Sequence, residues 1–312
     1  MKSDWPLITI GIPTYNRAHG TLPLTLESAL AQDYPNLEII VSDNCSTDDT
    51  GKVVTSYKDP RLKYIRRQVN IGSNGNYNAL LHAAGGGYFL LLHDDDLIDG
   101  DLLSTCMERA GHQDSFGFIR TGTRIVDGDG GLVIERPNKV KSNEALDLYE
   151  AWLTGKTPFY LCSTLFNTRA LREAGGFRSR NNLFEDGIAI IEIAHRWPIL
   201  NIRELKASFR EHGEQRTHAA AAIKWCEDFK QAIDLIYRYA ERDREELYEK
   251  GMRQFSKVGL HFAERVEHPI VRIMSIFKAS KYFPCRYWPG KRKRNLIGWV
   301  GSLFYSERKP VF

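Results

Sequence analysis

Tyr88-Phe89-Leu90-Leu91-Leu92 is followed directly by His93-Asp94-Asp95-Asp96. An apolar run of this length, introduced by three glycines, predicts a strand that is buried on both faces. Three adjacent carboxylates repel one another, and each resists ionisation unless a cation lies between them. Carboxylate oxygens are ligands that suit magnesium or manganese. The segment therefore suggests a divalent-metal site at the carboxyl end of a strand, where open α/β sheets bind ligands.

The carboxylates also have a structural interpretation. The segment from Asp96 to Asp101 is compatible with a solvated loop that leads into a helix at Leu102, because aspartates commonly cap helices. The run by itself leaves both interpretations open.

The composition narrows the class of protein. A chain of 312 residues is long enough for one large domain or for a domain with an appendage. Its five cysteines are scattered and lack CxxC spacing, which argues against a disulfide framework and against a zinc site. We recognise no signal peptide and no run of about 20 apolar residues. These features predict a cytoplasmic protein.

The positive charge is concentrated at the carboxyl end. From Lys278 onward the sequence has nine Lys or Arg residues and one Glu, whereas the whole chain has a net charge of +4. The last residues therefore carry +8, and residues 1–277 carry −4. Aromatic and basic residues are interleaved in this tail, which fits either an interfacial helix on an anionic membrane or a helix packed on the protein. The acidic body and the lack of a recognisable binding module argue against nucleic acid as a partner.

Apolar runs and helical patterns alternate in the first third of the chain. Strands are predicted at 7–12, 37–41, 62–65 and 88–92, with helices between them, which indicates a largely parallel sheet. In the second half, residues 124–126 and 132–134 flank a glycine-rich turn and predict a hairpin. A further strand is predicted at 160–166, a helix at 188–195, and one long amphipathic helix at 219–250.

Polar residues follow the first two predicted strands. A carboxylate at Asp43 can accept a hydrogen bond from a nucleobase or a ribose hydroxyl, although an Asx-turn is the commoner use of Asp at such a position. Pro13 and Tyr15 are placed to line the same crevice. The sequence has neither GxGxxG nor GxxxxGK[ST], so a metal must hold the phosphates if a nucleotide binds.

The order and spacing of these segments resemble family 2 glycosyltransferases of the GT-A fold. The likeness rests on residues 12–17 and 27–50, on Asn70-Ile71-Gly72 with Asn76, and on Gly87-Tyr88 before the three carboxylates Asp94–Asp96, here called the Asp run. It covers residues 6 to about 216. It implies an α/β, GT-A-type nucleotide-sugar-binding fold with a mostly parallel central sheet flanked by helices and a carboxyl-terminal helical extension.

The resemblance also implies site residues. The expected nucleotide-sugar-binding residues are Pro13, Tyr15, Arg17, Asp43, Asn70, Asn76, Asp94 and Asp95. The expected ligands of Mn²⁺ or Mg²⁺ are Asp95, Asp96 and His212, the last of these in a segment, 209–213, that resembles the family's His-containing stretch. His93 departs from the family pattern because it stands where the first Asp usually lies, and imidazole can itself bind manganese.

Glu185-Asp186 resembles the family's catalytic acidic pair. In this role Asp186 is the base that deprotonates the acceptor hydroxyl, and Glu185 supports it or touches the acceptor. The alternative is that the pair caps the helix predicted at Ile188, which is worth about 1 kcal/mol.

Together these expectations describe an inverting glycosyltransferase with a catalytic domain at 1–216 and a helical region with a basic amphipathic tail at 217–312. The nucleotide-binding half is expected at about 1–100 and the acceptor half at about 101–216. The expected partners are a nucleotide-diphosphate sugar and a glycan or lipid-linked acceptor. The expected location is the cytoplasm, with peripheral contact at the inner face of the membrane if the tail binds lipid. Two alternatives are a nucleotidyltransferase, which is disfavoured because residues 13–17 do not form a glycine-rich basic loop, and a non-catalytic sugar-nucleotide or glycan-binding protein, which His93 motivates.

Overall fold

The computed structural model describes residues 5–211, 222–264 and 269–288. Contacts divide the chain into two compact units, Met1–Ala219 and Ala220–Phe312. The boundary predicted after residue 216 falls between residues 212 and 221, outside the described residues. The basic tail beyond Trp288 also lies outside them, so both of these predictions remain untested.

The first half of the amino-terminal unit alternates strands and helices. Its elements are β1 (Ile8–Thr14), α1 (Leu22–Leu30), β2 (Leu37–Asp43), α2 (Thr50–Ser56), β3 (Leu62–Arg66), α3 (Gly72–Ala83) and β4 (Tyr88–Leu91). The strands pair in parallel in the order β3-β2-β1-β4. Because parallel strands end at the same edge of a sheet, the polar segments after β1, β2 and β4 come together there.

The second half extends this sheet with mixed pairing. It contains β5 (Leu97–Ile98), α4 (Leu102–Arg109), β6 (Phe118–Val126), β7 (Leu132–Arg136), α5 (Ala145–Leu153), β8 (Thr164–Asn167), α6 (Thr168–Glu173), α7 (Glu185–Arg196) and β9 (Ile199–Arg210). The order continues β4-β8-β6-β9-β5, with β7 on β6. The antiparallel β6–β7 pair is the predicted hairpin. The predicted α/β architecture is confirmed.

The strand predicted at 160–166 begins later than the sequence pattern suggests. Residues Leu161–Ser163 form a 3-10 turn, and β8 starts only at Thr164. The hydroxyls of Ser163 and Thr164 both donate to the carbonyl of Tyr160, at 3.3 and 2.8 Å. Such local side-chain bonds compete with extended backbone, which is why an apolar run alone misplaced the start of this strand.

The long helix predicted at 219–250 is wrong. The described residues there form two helices, α8 (Ala222–Tyr239) and α9 (Arg244–Glu264), followed by α10 (Pro269–Tyr282). Asp243 has a positive φ of 55°, which ends helical geometry, and its carbonyl accepts the Leu247 N–H at 2.9 Å. The break falls in the charged run Glu241–Arg244, where the apolar stripe is interrupted. No described helix combines the length and apolar character that a membrane crossing needs.

Gly86 lies where the chain enters β4, and we expect Gly86→Ala to destabilise the protein. A Cβ atom there would lie 2.7 Å from both the Leu7 carbonyl oxygen and the Thr9 nitrogen, which are backbone atoms that cannot move aside. Overpacking of this kind costs roughly 1–3 kcal/mol. The matched control is Gly87→Ala, whose Cβ would meet its nearest neighbours at 3.9 Å. Urea unfolding should show a lower midpoint for Gly86→Ala only, and equal midpoints would refute this packing argument.

Candidate functional site

The Asp run emerges from β4 at the edge where β1 and β2 also end. His93, Asp95 and Asp96 each offer a ligand atom, and these atoms lie within 4.8 Å of one another. One imidazole and two carboxylates form a donor set that suits Mn²⁺, and the two carboxylates suit Mg²⁺. His93, which departs from the family pattern, thus joins the group of potential ligands.

Asp96 is the buried member of this group. One of its carboxylate oxygens accepts the backbone N–H of Arg210 at 3.0 Å, and its carbonyl accepts the Thr25 hydroxyl at 2.9 Å. Burial raises the pKa of Asp96 well above its ordinary value, and the neighbouring Asp95 charge raises it further. A divalent cation would offset both effects and favour the ionised form.

Asp94 lies outside the potential metal group and faces the end of β1. Its carboxylate is 3.8 Å from Nε of Arg17, and burial raises its pKa to about 6. The Thr21 hydroxyl donates to the Asp94 carbonyl at 2.8 Å. The structure therefore connects Asp94 and Arg17, two residues predicted to bind the nucleotide-sugar, at the junction of β1 and the Asp run.

Arg210, the last residue of β9, holds the Asp run although it lies 114 residues after Asp96 in the sequence. Its Nε donates to the Asp95 carbonyl at 3.0 Å, and its Nη1 donates to the carbonyls of Asp127 and Gly128 at 3.2 and 2.9 Å. The resemblance implies for Arg210 only that it assists His212 at the metal or the diphosphate. The structure shows that it joins β9, the β6–β7 turn and the Asp run.

Asp43 is fully buried where β2 ends. One oxygen accepts the Ser46 N–H at 2.8 Å, and the other accepts the Tyr64 hydroxyl at 2.5 Å. Nε of Arg66 lies 3.9 Å away. The Ser46 contact is the Asx-turn that the structural interpretation of Asp43 predicts. Any contact between Asp43 and a nucleobase must therefore be made in addition to these bonds.

The other predicted donor-site residues differ in exposure. Tyr15 is 44% exposed, whereas Pro13 is buried. Asn70 accepts the Gly72 N–H at 2.9 Å. Asn76 is buried and exchanges two hydrogen bonds with Ser42, at 2.6 and 2.8 Å, so its amide already binds β2. Tyr15 and Asn70 are thus both exposed, and Tyr15 is the one that offers an aromatic face.

Glu185 and Asp186 begin α7. The Gly187 N–H donates to an oxygen of Asp186 at 2.7 Å, and Glu185 is buried beside it. The preceding Phe184 stacks on Trp152 at 5.1 Å, and Trp152 stacks on Phe159 at 5.4 Å. This aromatic stack, formed by Trp152, Phe159 and Phe184, fixes the start of the helix. His212 lies outside the described residues, so its predicted role as a metal ligand remains a prediction.

A family model described as Glycosyl transferase family 2 matches residues 9–173. The match includes β1 to β4 and the Asp run. It ends before Glu185 and Asp186, so the assignment of these two residues rests on their place in the structure and on the resemblance of their segment.

One curated relative is GalNAc(5)-diNAcBac-PP-undecaprenol beta-1,3-glucosyltransferase of Campylobacter jejuni. It is 36% identical over 137 residues, which are 43% of this chain and 43% of the relative. The matched lengths of the first curated relatives range from 18% to 59% of those proteins, so the chain aligns with only part of each.

Two solved structures share the fold. TarS 1-349 of S. aureus in complex with UDP-GlcNAc superposes with a TM-score of 0.68 and 16% identity, covering 90% of this chain and 82% of TarS 1-349. The mannosyltransferase PcManGT of Pyrobaculum calidifontis, in complex with GDP-Man and Mn²⁺, has a TM-score of 0.52 and 18% identity, covering 98% and 89%.

Proposed function

Because the chain belongs to glycosyl transferase family 2, we propose that it transfers a sugar from a nucleotide-diphosphate sugar to a hydroxyl of a glycan or lipid-linked glycan. Transfer occurs with inversion and with the help of a divalent metal ion. The observation that carries this proposal is the grouping of His93, Asp95 and Asp96 at the carboxyl edge of a parallel sheet, the position at which such sheets bind ligands.

The metal group supports binding of the donor diphosphate. His93, Asp95 and Asp96 would hold Mn²⁺ or Mg²⁺, and the ion would neutralise negative charge on the leaving diphosphate. The chain's own contribution is to fix these ligands, through the Arg210 bonds to Asp95 and Asp96. Tyr15, which is open at the end of β1, offers a face on which the base can stack, and Asp43 lies one strand away.

Asp186 supplies the base. An inverting transfer needs a group that takes the acceptor proton while the acceptor oxygen forms a bond to the anomeric carbon and the bond to the diphosphate breaks. A carboxylate can take up such a proton, and Asp186 stands in the first turn of α7. Glu185, buried beside it, supports the geometry of the helix start.

The enzymatic proposal is tested by donor turnover. The purified protein is incubated with Mn²⁺, a panel of UDP- and GDP-sugars and a mixture of lipid-linked and free glycans, and release of the nucleotide diphosphate is measured. Acceptor-stimulated release with at least one donor is expected. Absence of release with every donor, in a protein that is folded by circular dichroism, would reject the proposal.

We also propose peripheral contact with an anionic membrane surface through one face of α10. Met274, Phe277, Lys278 and Lys281 are all exposed, and their spacing of three, four and seven residues places them on one side of the helix. Met274 is 51% and Phe277 is 70% exposed. Apolar side chains beside lysines are complementary to lipid with acidic headgroups, and the net +8 of residues 278–312 adds to this attraction.

Flotation of the full chain tests the membrane proposal. We expect it to float with vesicles of phosphatidylglycerol and phosphatidylcholine, and to remain at the bottom with phosphatidylcholine alone. The double variant Met274→Ser/Phe277→Ser should float poorly, since it removes the apolar contact. The matched control is Leu132→Ser/Val133→Ser in β7, where the two side chains are 60% and 59% exposed. Equal flotation of both double variants would contradict a role of α10 in membrane binding.

A further inference from the structure

Arg120 is a buried cation in the middle of the sheet, on β6. Its Nη2 donates to the Pro158 carbonyl at 2.7 Å and to the Thr157 hydroxyl at 3.3 Å. Its guanidinium carbon lies 4.8 Å from the centre of the Phe159 ring. Nε and Nη1 have no hydrogen-bond partner among the residues that the structure describes. All the hydrogen bonds that Arg120 makes there are therefore to uncharged groups.

Such a residue is costly to keep in a protein interior, because a guanidinium loses its hydration on burial. Burial lowers the pKa of Arg120 to about 9, and the charge of Asp186 opposes this shift. Arg120 is thus electrostatically connected to the proposed base.

The fold places Arg120 close to the carboxyl edge of the parallel strands, where the Asp run follows β4. Arg120 of β6 pairs with Thr164 of β8. The next residue of β8, Leu165, pairs with Leu90 of β4. Arg120 is therefore level with Leu91 of β4, which lies two residues before His93. Two strand spacings, or about 10 Å, separate Arg120 from Leu91.

The aromatic stack connects the two groups physically. Arg120 lies over Phe159, and the Phe159 ring is 6.5 Å from that of Phe184. Phe184 immediately precedes Glu185 and Asp186. A shift of the guanidinium would therefore be transmitted to the start of α7, where the base lies.

We propose that Arg120 is a positioning residue that, through Phe159 and Phe184, keeps the Asp186 carboxylate oriented for the acceptor proton. It acts through Asp186 and does not touch the substrate, since its side chain is buried. This inference rests on the proposed function, in which Asp186 is the base.

A double-mutant cycle tests the inference. Arg120→Met keeps an apolar stem and removes the charge and the bond to the Pro158 carbonyl, and we expect kcat to fall about tenfold or more, because a misplaced catalytic group loses rate steeply. The donor KM should stay within about twofold, because the donor ligands are unchanged. In an Asp186→Asn background, Arg120→Met should cause no further loss of the residual rate, since its effect acts through the missing carboxylate.

The cycle has clear contrary outcomes. Equal fractional losses in the wild-type and Asp186→Asn backgrounds would overturn the inference, and so would a rise in donor KM that matches the loss in kcat. Arg124→Met, on the same strand but bonded to Asp99, is the control and should retain kcat. If Arg120→Met does not fold, Arg120→Lys replaces it in the same cycle, with a smaller expected loss. A wild-type chain without transfer would reject the proposed function and the inference together, whereas an active chain with additive losses would reject the inference alone.

Discussion

Asp186→Asn is expected to lower kcat for sugar transfer by about 10²–10⁴-fold, the usual contribution of a general base. An amide has nearly the shape of a carboxylate but cannot take a proton at neutral pH. Its oxygen can still accept the Gly187 N–H that Asp186 now accepts at 2.7 Å, so the start of α7 should persist. Loss of the charge at a helix amino terminus should cost less than about 1 kcal/mol of stability.

This prediction is checked by steady-state kinetics with the best donor, together with the melting temperature and the affinity for the nucleotide diphosphate. The matched control is Glu192→Gln, further along α7, which removes the negative charge of an i,i+4 pair with Arg196 and should leave kcat near that of the wild type. If Asp186→Asn retains most of the wild-type kcat, Asp186 is a helix-capping residue and the catalytic assignment fails.

Asp95→Asn is expected to keep or raise the melting temperature of the ligand-free protein and to reduce the stability that the protein gains from ligand. Without metal, it removes a negative charge that helps raise the pKa of buried Asp96, so the variant should melt at the same temperature as the wild type or higher. With Mn²⁺ and UDP or GDP, the wild type should gain stability through binding, and the variant should gain little, because it lacks one of the metal ligands.

Differential scanning fluorimetry with and without Mn²⁺ and nucleotide separates these effects. The control is Asp99→Asn. Asp99 is close in sequence but pairs with Arg124 at 2.9 Å and is not part of the metal group. This variant should lose some stability and keep the ligand-induced shift. An Asp95→Asn variant that is stabilised by Mn²⁺ and nucleotide as strongly as the wild type would show that the metal lies elsewhere.

The sequence was sufficient to locate the Asp run because a buried parallel strand has a strong signature. The apolar segment ending at Leu92 has no polar face, and in a parallel sheet its end must share an edge with the ends of β1 and β2. Placement of the Asp run and Asp43 at one edge follows from strand order alone. Alternation of strands and helices was enough to predict the fold of the first hundred residues.

The side-chain partners within the site could not be predicted in the same way. Asp96 is held by Arg210, and Asp43 by Tyr64, across separations that no local pattern encodes. Asn76 resembles a family landmark, but its amide is bonded to Ser42 in the core. Arg120 lies in a buried strand, and only the packing of Phe159 and Phe184 shows that it belongs to the surroundings of Asp186. These contacts depend on tertiary structure, whereas the strand ends depend mainly on sequence periodicity.

The central claim is that the cluster of His93, Asp95 and Asp96 forms a metal-dependent site for a nucleotide diphosphate. Isothermal titration of UDP and GDP into the full chain, once with Mn²⁺ and once with EDTA, tests it most directly. We expect saturable binding of at least one nucleotide with Mn²⁺ and a loss of affinity of about tenfold or more with EDTA. Equal affinity in both conditions, or no binding of either nucleotide with Mn²⁺ present, would contradict the account.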